Sequence, residues 1–214
     1  MTIAGFIEGP LWYAAAFIFV AGVLWRVIGM LRLGRKPDLS EARGSAAQGA
    51  LWANLKHFLP SGAFLHRTTF HVVAGYMFHL GLFVLLLFAA PHVRFLEHHV
   101  LGFGWTPIPN WAFVLSAQFA FAGLIMLYLR RLTDPVLRLI SDADDHVGSL
   151  LTFVVMLTGC MALSEEFTGL RLLHMLTVEI WLVYFPFSRL MHAIMFAFSR
   201  GYTGAVYGRR GEVL

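Results

Sequence analysis

Five of the ten histidines in this chain lie within or directly beside two long apolar segments. They are His71, His79, His92, His174 and His192. An ionisable side chain inside such a segment is costly and usually faces a partner or performs a task. Imidazole nitrogens bind iron, zinc and copper, and they also carry protons. The chemistry open to these residues is therefore metal or haem ligation, proton transfer, or structural hydrogen bonding.

The spacing of the histidines narrows these choices. His174 and His192 are 18 residues apart, which is five turns and about 27 Å of an uninterrupted α-helix, so we expect both on one face. One of them would then lie near each membrane surface. His79 and His92 lie on an earlier, antiparallel segment and can supply the opposing ligands, with Pro91 able to re-aim His92. Two pairs at two depths favour two haems over a proton relay or structural contacts.

The cysteine content limits the cofactors that this chain can hold. Its single cysteine, Cys160, cannot ligate an iron–sulfur cluster, form a Cys-x-x-Cys-His haem attachment or make an internal disulfide. Zinc is a weaker candidate than haem, because structural zinc sites cluster Cys and His instead of spreading them across a bilayer. The sequence therefore predicts non-covalent cofactors held by His or Met.

The composition indicates a membrane protein. Hydrophobic residues make up 58% of the chain and charged residues 13%, about half the charge of a soluble domain. Five stretches have the roughly 20 apolar residues that a spanning helix needs. These stretches are residues 11–31, 70–90, 111–129, 147–163 and 172–198. We therefore predict one all-α domain, residues 1–214, built as an integral membrane bundle of five transmembrane helices.

The distribution of basic residues predicts the orientation of the bundle. Of the 16 Lys and Arg, all but Arg94 and Arg171 fall at the end of the first span, in the first and third loops, or in the C-terminal region. The positive-inside rule then places the N-terminus outside and the C-terminus in the cytoplasm of a bacterium or archaeon, with the chain in its inner membrane. Basic loops beside anionic lipid headgroups also account for the pI near 9.6 without nucleic-acid binding.

The first cytoplasmic loop, residues 33–69, has two parts. Its first half is polar and rich in small residues, whereas residues 50–59 (ALWANLKHFL) are amphipathic and precede Pro60-Ser61-Gly62. We interpret residues 50–59 as an interfacial helix on the cytoplasmic surface, with a docking surface for a partner as the alternative.

Two spans carry a resemblance to a known family. The fifth contains Arg171-Leu172-Leu173-His174 and Pro186-Phe187-Ser188-Arg189-Leu190-Met191-His192, and the second contains Phe78-His79-Leu80-Gly81. These motifs resemble the gamma subunit of respiratory nitrate reductase, a di-haem cytochrome b. The Trp105-Thr106-Pro107-Ile108-Pro109 loop and the Phe198-Ser199-Arg200-Gly201-Tyr202 tail are more similar to its relatives in heterodisulfide-reductase-like, sulfur-metabolism and cytochrome c-linked complexes.

The resemblance implies a set of haem ligands. His174 would ligate the outer haem and His192 the inner one, with His79 opposite His192 and His92 opposite His174. Pro91 stands where the family has a glycine before its ligand, and His92 lies slightly further along. The alternative is that His71 is the inner ligand, which moves His79 to the outer haem and leaves His92 at the surface.

Four charged residues lie close to these ligands. Arg94, Arg171 and Arg189 are candidates to pair with haem propionates, because guanidinium groups bind carboxylates in bidentate fashion. The equal alternative is that they are interface anchors reaching lipid headgroups. Glu179 is a candidate to hydrogen-bond a ligand histidine or move protons, and a buried structural carboxyl is the alternative.

The resemblance also implies a function. We expect a b-type cytochrome subunit of a respiratory oxidoreductase, transferring electrons between the quinone pool and partner subunits with iron–sulfur clusters on the cytoplasmic face. No catalytic residue is predicted in the chain itself. The alternatives are a haem-free membrane anchor or transporter subunit, and a di-haem cytochrome b that exchanges electrons with a periplasmic cytochrome c.

Overall fold

The protein is helical throughout the part of the chain that the structure describes. The computed structural model describes residues 2–33, 39–58, 65–163 and 167–212, without the side chains of residues 65–67. Helix accounts for 85% of the structure, and the described ranges contain no strand. Five helices are long and apolar enough to cross a membrane. These observations confirm the predicted all-α fold with five potential spans.

The helices are numbered along the chain. They are α1 (Ile3–Arg32), α2 (Ala46–Lys56), α3 (Leu65–Phe88), α4 (Ala90–Leu96), α5 (Asn110–Thr133), α6 (Pro135–Ile140), α7 (Ala143–Ala162), α8 (Thr168–Tyr184) and α9 (His192–Arg209). The potential spans are α1, α5, α7, Thr68–Phe88 within α3, and Thr168–Phe187, which extends α8. The first four overlap the predicted stretches.

The fifth predicted span, residues 172–198, is interrupted. Helix α8 ends at Tyr184, and two 3₁₀ turns, Phe185–Phe187 and Arg189–Met191, precede α9. Pro186 cannot donate a backbone hydrogen bond, and Ser188 is extended (φ −113°, ψ 174°) with its hydroxyl accepting from the Leu190 N–H. The prediction that His174 and His192 share one helix face requires an unbroken helix, and the helix is broken between Tyr184 and His192.

The chain divides into two compact units. The first comprises Met1–Ala14 and Arg67–Trp181, and the second comprises Ala15–His66 and Leu182–Leu214. The grouping of all 214 residues into one domain stays a prediction.

The first unit is held together by close helix packing. Its core cluster is formed by Leu85, Ala89, Phe113, Ala117, Ala120, Leu124 and Met156. A methyl group added at Gly81 would lie 2.6 Å from the Ser116 carbonyl oxygen, and one at Gly123 would lie 2.6 Å from that of Ala74. Because Gly81 and Gly123 have no side chain, α3 and α5 approach closely, as small residues allow between membrane helices. This contact fixes the helix that carries His79.

In the second unit, α2 packs along α9. Gly49 on α2 meets Gly204 and Gly208 on α9, each of which leaves no room for a Cβ. The Asn54 amide bridges the helices by donating to the Ala50 and Ala197 carbonyls, at 3.1 and 3.2 Å.

The interfacial helix predicted for residues 50–59 corresponds to α2, which begins at Ala46 and ends at Lys56. Pro60-Ser61-Gly62 lies outside the described residues, as do Arg35 and Lys36 in the same loop. One face of α2 is covered by α9, while Leu51, Trp52 and Leu55 remain exposed. Its place at a membrane surface stays a prediction.

Candidate functional site

His92 and His174 face each other in the first unit. Their ring centroids are 6.1 Å apart and their planes differ by 25°. Both side chains are half-buried. Helix α4 carries His92 and helix α8 carries His174, so two elements that are distant in sequence create the pair. The sequence-based pairing of these two residues thus corresponds to an observed contact.

The end of α3 explains the direction of His92. Pro91 has no N–H for the Leu87 carbonyl, and its ring would clash with that carbonyl if α3 continued. The helix stops at Phe88, Ala89 is extended (ψ 136°), and α4 starts in a new direction. Pro91 therefore ends the helix just before His92, as the sequence predicted.

The loop after α4 satisfies the carbonyls freed by this break. The Trp105 indole donates to the Leu87 carbonyl at 2.8 Å, and the Ile108 N–H donates to that of Phe88 at 3.0 Å. Helix ends need such partners, because their last carbonyls have none within the helix. The Trp-Thr-Pro-Ile-Pro segment thus stabilises the turn that positions His92.

The separation of the two rings fits a metal ion bound between them. Two imidazoles on one iron atom place their ring centres about 6 Å apart, with a metal–nitrogen bond of about 2 Å and about 1 Å from nitrogen to ring centre. The observed 6.1 Å agrees with this value. Within the described ranges, no three His, Cys, Asp or Glu side chains form a cluster that could hold a metal ion. Two imidazoles are a donor set that fits a porphyrin iron.

Each predicted ligand has its Nδ1 next to an oxygen acceptor. The acceptors are the carbonyls of Gly75 for His79 (2.8 Å), Leu85 for His92 (3.0 Å) and Arg189 for His192 (2.8 Å), and the Thr158 hydroxyl for His174 (3.2 Å). A carbonyl only accepts, so Nδ1 carries the proton and Nε2 keeps its lone pair. That tautomer is the one in which Nε2 can bind iron. His57 makes the same bond to Ala53, so the bond prepares a ligand without identifying one.

The Thr158 hydroxyl is held in a buried network. It lies 2.9 Å from the Val154 carbonyl, to which it donates, and 2.9 Å from the Thr177 hydroxyl. Its lone pairs are then available to the Nδ1–H of His174. Gly159 borders the same ring, since a Cβ there would lie 2.9 Å from His174 Cε1. The sequence reasoning missed these three residues, although two threonines and a glycine within apolar spans were a usable signal.

His79 and His71 both lie on α3. It is half-buried on α3, next to the ring of Phe78 at 4.7 Å and near Phe83 at 6.4 Å. His71 is exposed, and it makes no hydrogen bond within the described part of the chain. Exposure does not decide between His71 and His79, because the predicted ligand His192 is exposed as well, and the assignment of His79 stays a prediction.

His79 lies in the first unit and His192 in the second. His192 is exposed at the start of α9, where its ring is tied to the 3₁₀ turn before it. The inner pair therefore stays a prediction.

Arg171 forms an ion pair with Glu8. Glu8 belongs to a π-helical turn, Ile7–Leu11, within α1. The two roles predicted for Arg171, binding a haem propionate and anchoring at the membrane interface, did not include Glu8 as a partner. Arg94 and Arg189 are exposed, and their roles stay predictions.

One comparison places the chain among known proteins. No protein-family model matches it. It is 30% identical over 218 residues to a Nitratidesulfovibrio vulgaris protein whose name states no activity, an alignment that covers 96% of this chain and 94% of the relative. The chain belongs to the same family as this Nitratidesulfovibrio vulgaris protein.

Proposed function

We propose that this chain is a di-haem cytochrome b, the membrane subunit of a respiratory oxidoreductase complex. It would transfer electrons across the membrane between the quinone pool and partner redox subunits. The observation that carries this proposal is the His92–His174 pair, with its ring separation of 6.1 Å. When bound, each haem would supply one-electron redox chemistry.

The outer site is built from α4, α7 and α8. His92 and His174 would hold the iron, while Leu85 and Thr158 hold their Nδ1–H groups and so fix both rings. Such hydrogen bonds orient ligand histidines and raise their basicity. Gly159 leaves the space that the His174 ring occupies.

His79 and His192 are proposed as the ligands of the inner haem. Each ring has its Nδ1 bonded to a backbone carbonyl, and the resemblance to the nitrate reductase gamma subunit supports pairing them. Arg94 and Arg189 are proposed as partners of the haem propionates. Arg171 is proposed as a third partner that also keeps its ion pair with Glu8.

The proposed orientation places the N-terminus outside and the C-terminus in the cytoplasm of a bacterial or archaeal inner membrane. It is supported by 14 of the 16 Lys and Arg falling on the side assigned to the cytoplasm. Subunits with iron–sulfur clusters would dock on that side, where α2 exposes Leu51, Trp52 and Leu55. Quinone would react beside the outer haem.

The test is the haem content of the purified chain and of matched histidine variants. We expect a b-type reduced-minus-oxidised spectrum and two haems per chain. His92→Ala and His174→Ala should each remove one haem, and the double variant should remove no more than either alone. His146→Ala, whose ring contacts Tyr128 instead, is the control and should keep both haems.

The outcomes separate the alternatives. A folded but colourless preparation would show a haem-free anchor or transporter subunit. If a periplasmic cytochrome c reduces the haems and quinol does not, the chain exchanges electrons with cytochrome c instead of quinone.

A further inference from the structure

Glu179 is a buried carboxyl within a potential span. It lies on α8, inside the potential span Thr168–Phe187, and its exposed fraction is 2%. Neither of its carboxylate oxygens has a hydrogen-bonding partner among the residues that the structure describes. Burying such a group is costly, and an ionised form without a cation costs more than the neutral acid.

The neighbouring polar side chains of α8 are satisfied without Glu179. Thr177 is bonded to Thr158, and the Trp181 indole donates to the Thr152 hydroxyl at 3.1 Å. Arg171, two turns earlier on the same helix, is paired with Glu8. Glu179 thus serves no hydrogen bond or ion pair that the described residues show.

Glu179 is also close to the outer haem site along the helix. It follows His174 by five residues, which is about 7.5 Å of rise and about 140° of rotation on α8, so the two side chains leave the helix on different faces. At that range and depth, charge on the haem would act on the carboxyl with little screening by water. One unit of charge about 10 Å away, at an effective dielectric constant of about 20, changes a proton affinity roughly tenfold.

We propose that Glu179 is a redox-linked proton site. Its carboxylate takes up a proton when one electron reduces the iron that His92 and His174 would hold from ferric to ferrous, and it releases that proton on reoxidation. A tenfold change in proton affinity corresponds to at most about half a proton per electron. An O–H bond forms at a Glu179 oxygen and breaks again, so the proton uptake partly offsets the change in buried charge. This inference rests on the proposed function, because the electron must reside on a haem at that site.

The test is redox-difference infrared spectroscopy of the haem-loaded protein in H₂O and D₂O. Wild type should show a carboxylic-acid C=O band that appears on reduction and shifts in D₂O. Glu179→Gln should lose the band while keeping two haems. Because the Gln variant cannot ionise to stabilise the ferric form, its outer midpoint should rise by up to about 59 mV, the one-electron equivalent of a tenfold effect.

Two further variants complete the experiment. Glu97→Gln alters a carboxyl outside the potential spans and should keep the band. Glu179→Asp keeps the carboxyl, so it should shift the band without abolishing it, even if the Gln variant does not fold. A band that persists in Glu179→Gln, or is absent from a wild type carrying two haems, would overturn the inference alone. A wild type without haem would overturn the proposed function as well.

Discussion

Replacing Thr158 by valine removes one hydroxyl from the outer site and keeps the shape of the side chain. The Nδ1–H of His174 then loses the Thr158 hydroxyl at 3.2 Å and keeps only its backbone contact to Val155, and the Thr177 hydroxyl loses a neighbour at 2.9 Å. Removing an outer-shell partner of a ligand histidine typically costs 10-fold to 100-fold in metal affinity. We therefore expect haem binding at this site to weaken by about 1.4 to 2.8 kcal/mol. The less basic imidazole should also raise the outer midpoint.

The assay is haem titration of the variant followed by redox titration of both haems. Thr152→Val is the matched control, because Thr152 is buried on the same helix but accepts from Trp181 instead of a histidine. It should leave both midpoints unchanged. If Thr158→Val retained wild-type haem affinity and midpoint, Thr158 would not orient the ligand, and the described role of this network would be incorrect.

Three further predictions concern the site and the topology. Gly159→Ala should displace the His174 ring, since a Cβ lies 2.9 Å from Cε1, and a lower outer-haem occupancy in the pyridine haemochrome assay would show it. His79→Ala should remove the inner haem, His92→Ala should remove the outer one and His71→Ala should spare both, whereas loss of a haem in His71→Ala with both haems kept in His92→Ala would establish the other assignment. A tag at the N-terminus should be accessible from the periplasm and a tag after Leu214, beyond the described residues, should not. Protease protection in spheroplasts distinguishes this from an even number of spans.

Much of the fold was predictable because hydropathy is a local property of the chain. Each long apolar stretch must form a helix to satisfy its backbone in lipid, so the existence of five potential spans follows from composition. The end of α3 before His92 was also readable, because Pro91 cannot continue a helix. Pro186 also predicts the end of a helix. Because the apolar residues continue past it to residue 198, hydropathy predicted one unbroken span where α8 and α9 are separate helices.

The sequence by itself determined that this is a helical membrane protein, and it selected the histidines that could serve as ligands. Only the tertiary structure decided which groups meet. The His92–His174 pair, the Thr158 contact to His174 and the Arg171–Glu8 ion pair join residues that are 16 to 163 positions apart. Lipid is as apolar as the side chains facing it, so hydropathy does not specify which helices are neighbours. That choice depends on small residues such as Gly81, Gly123 and Gly159, whose missing side chains let particular helices approach.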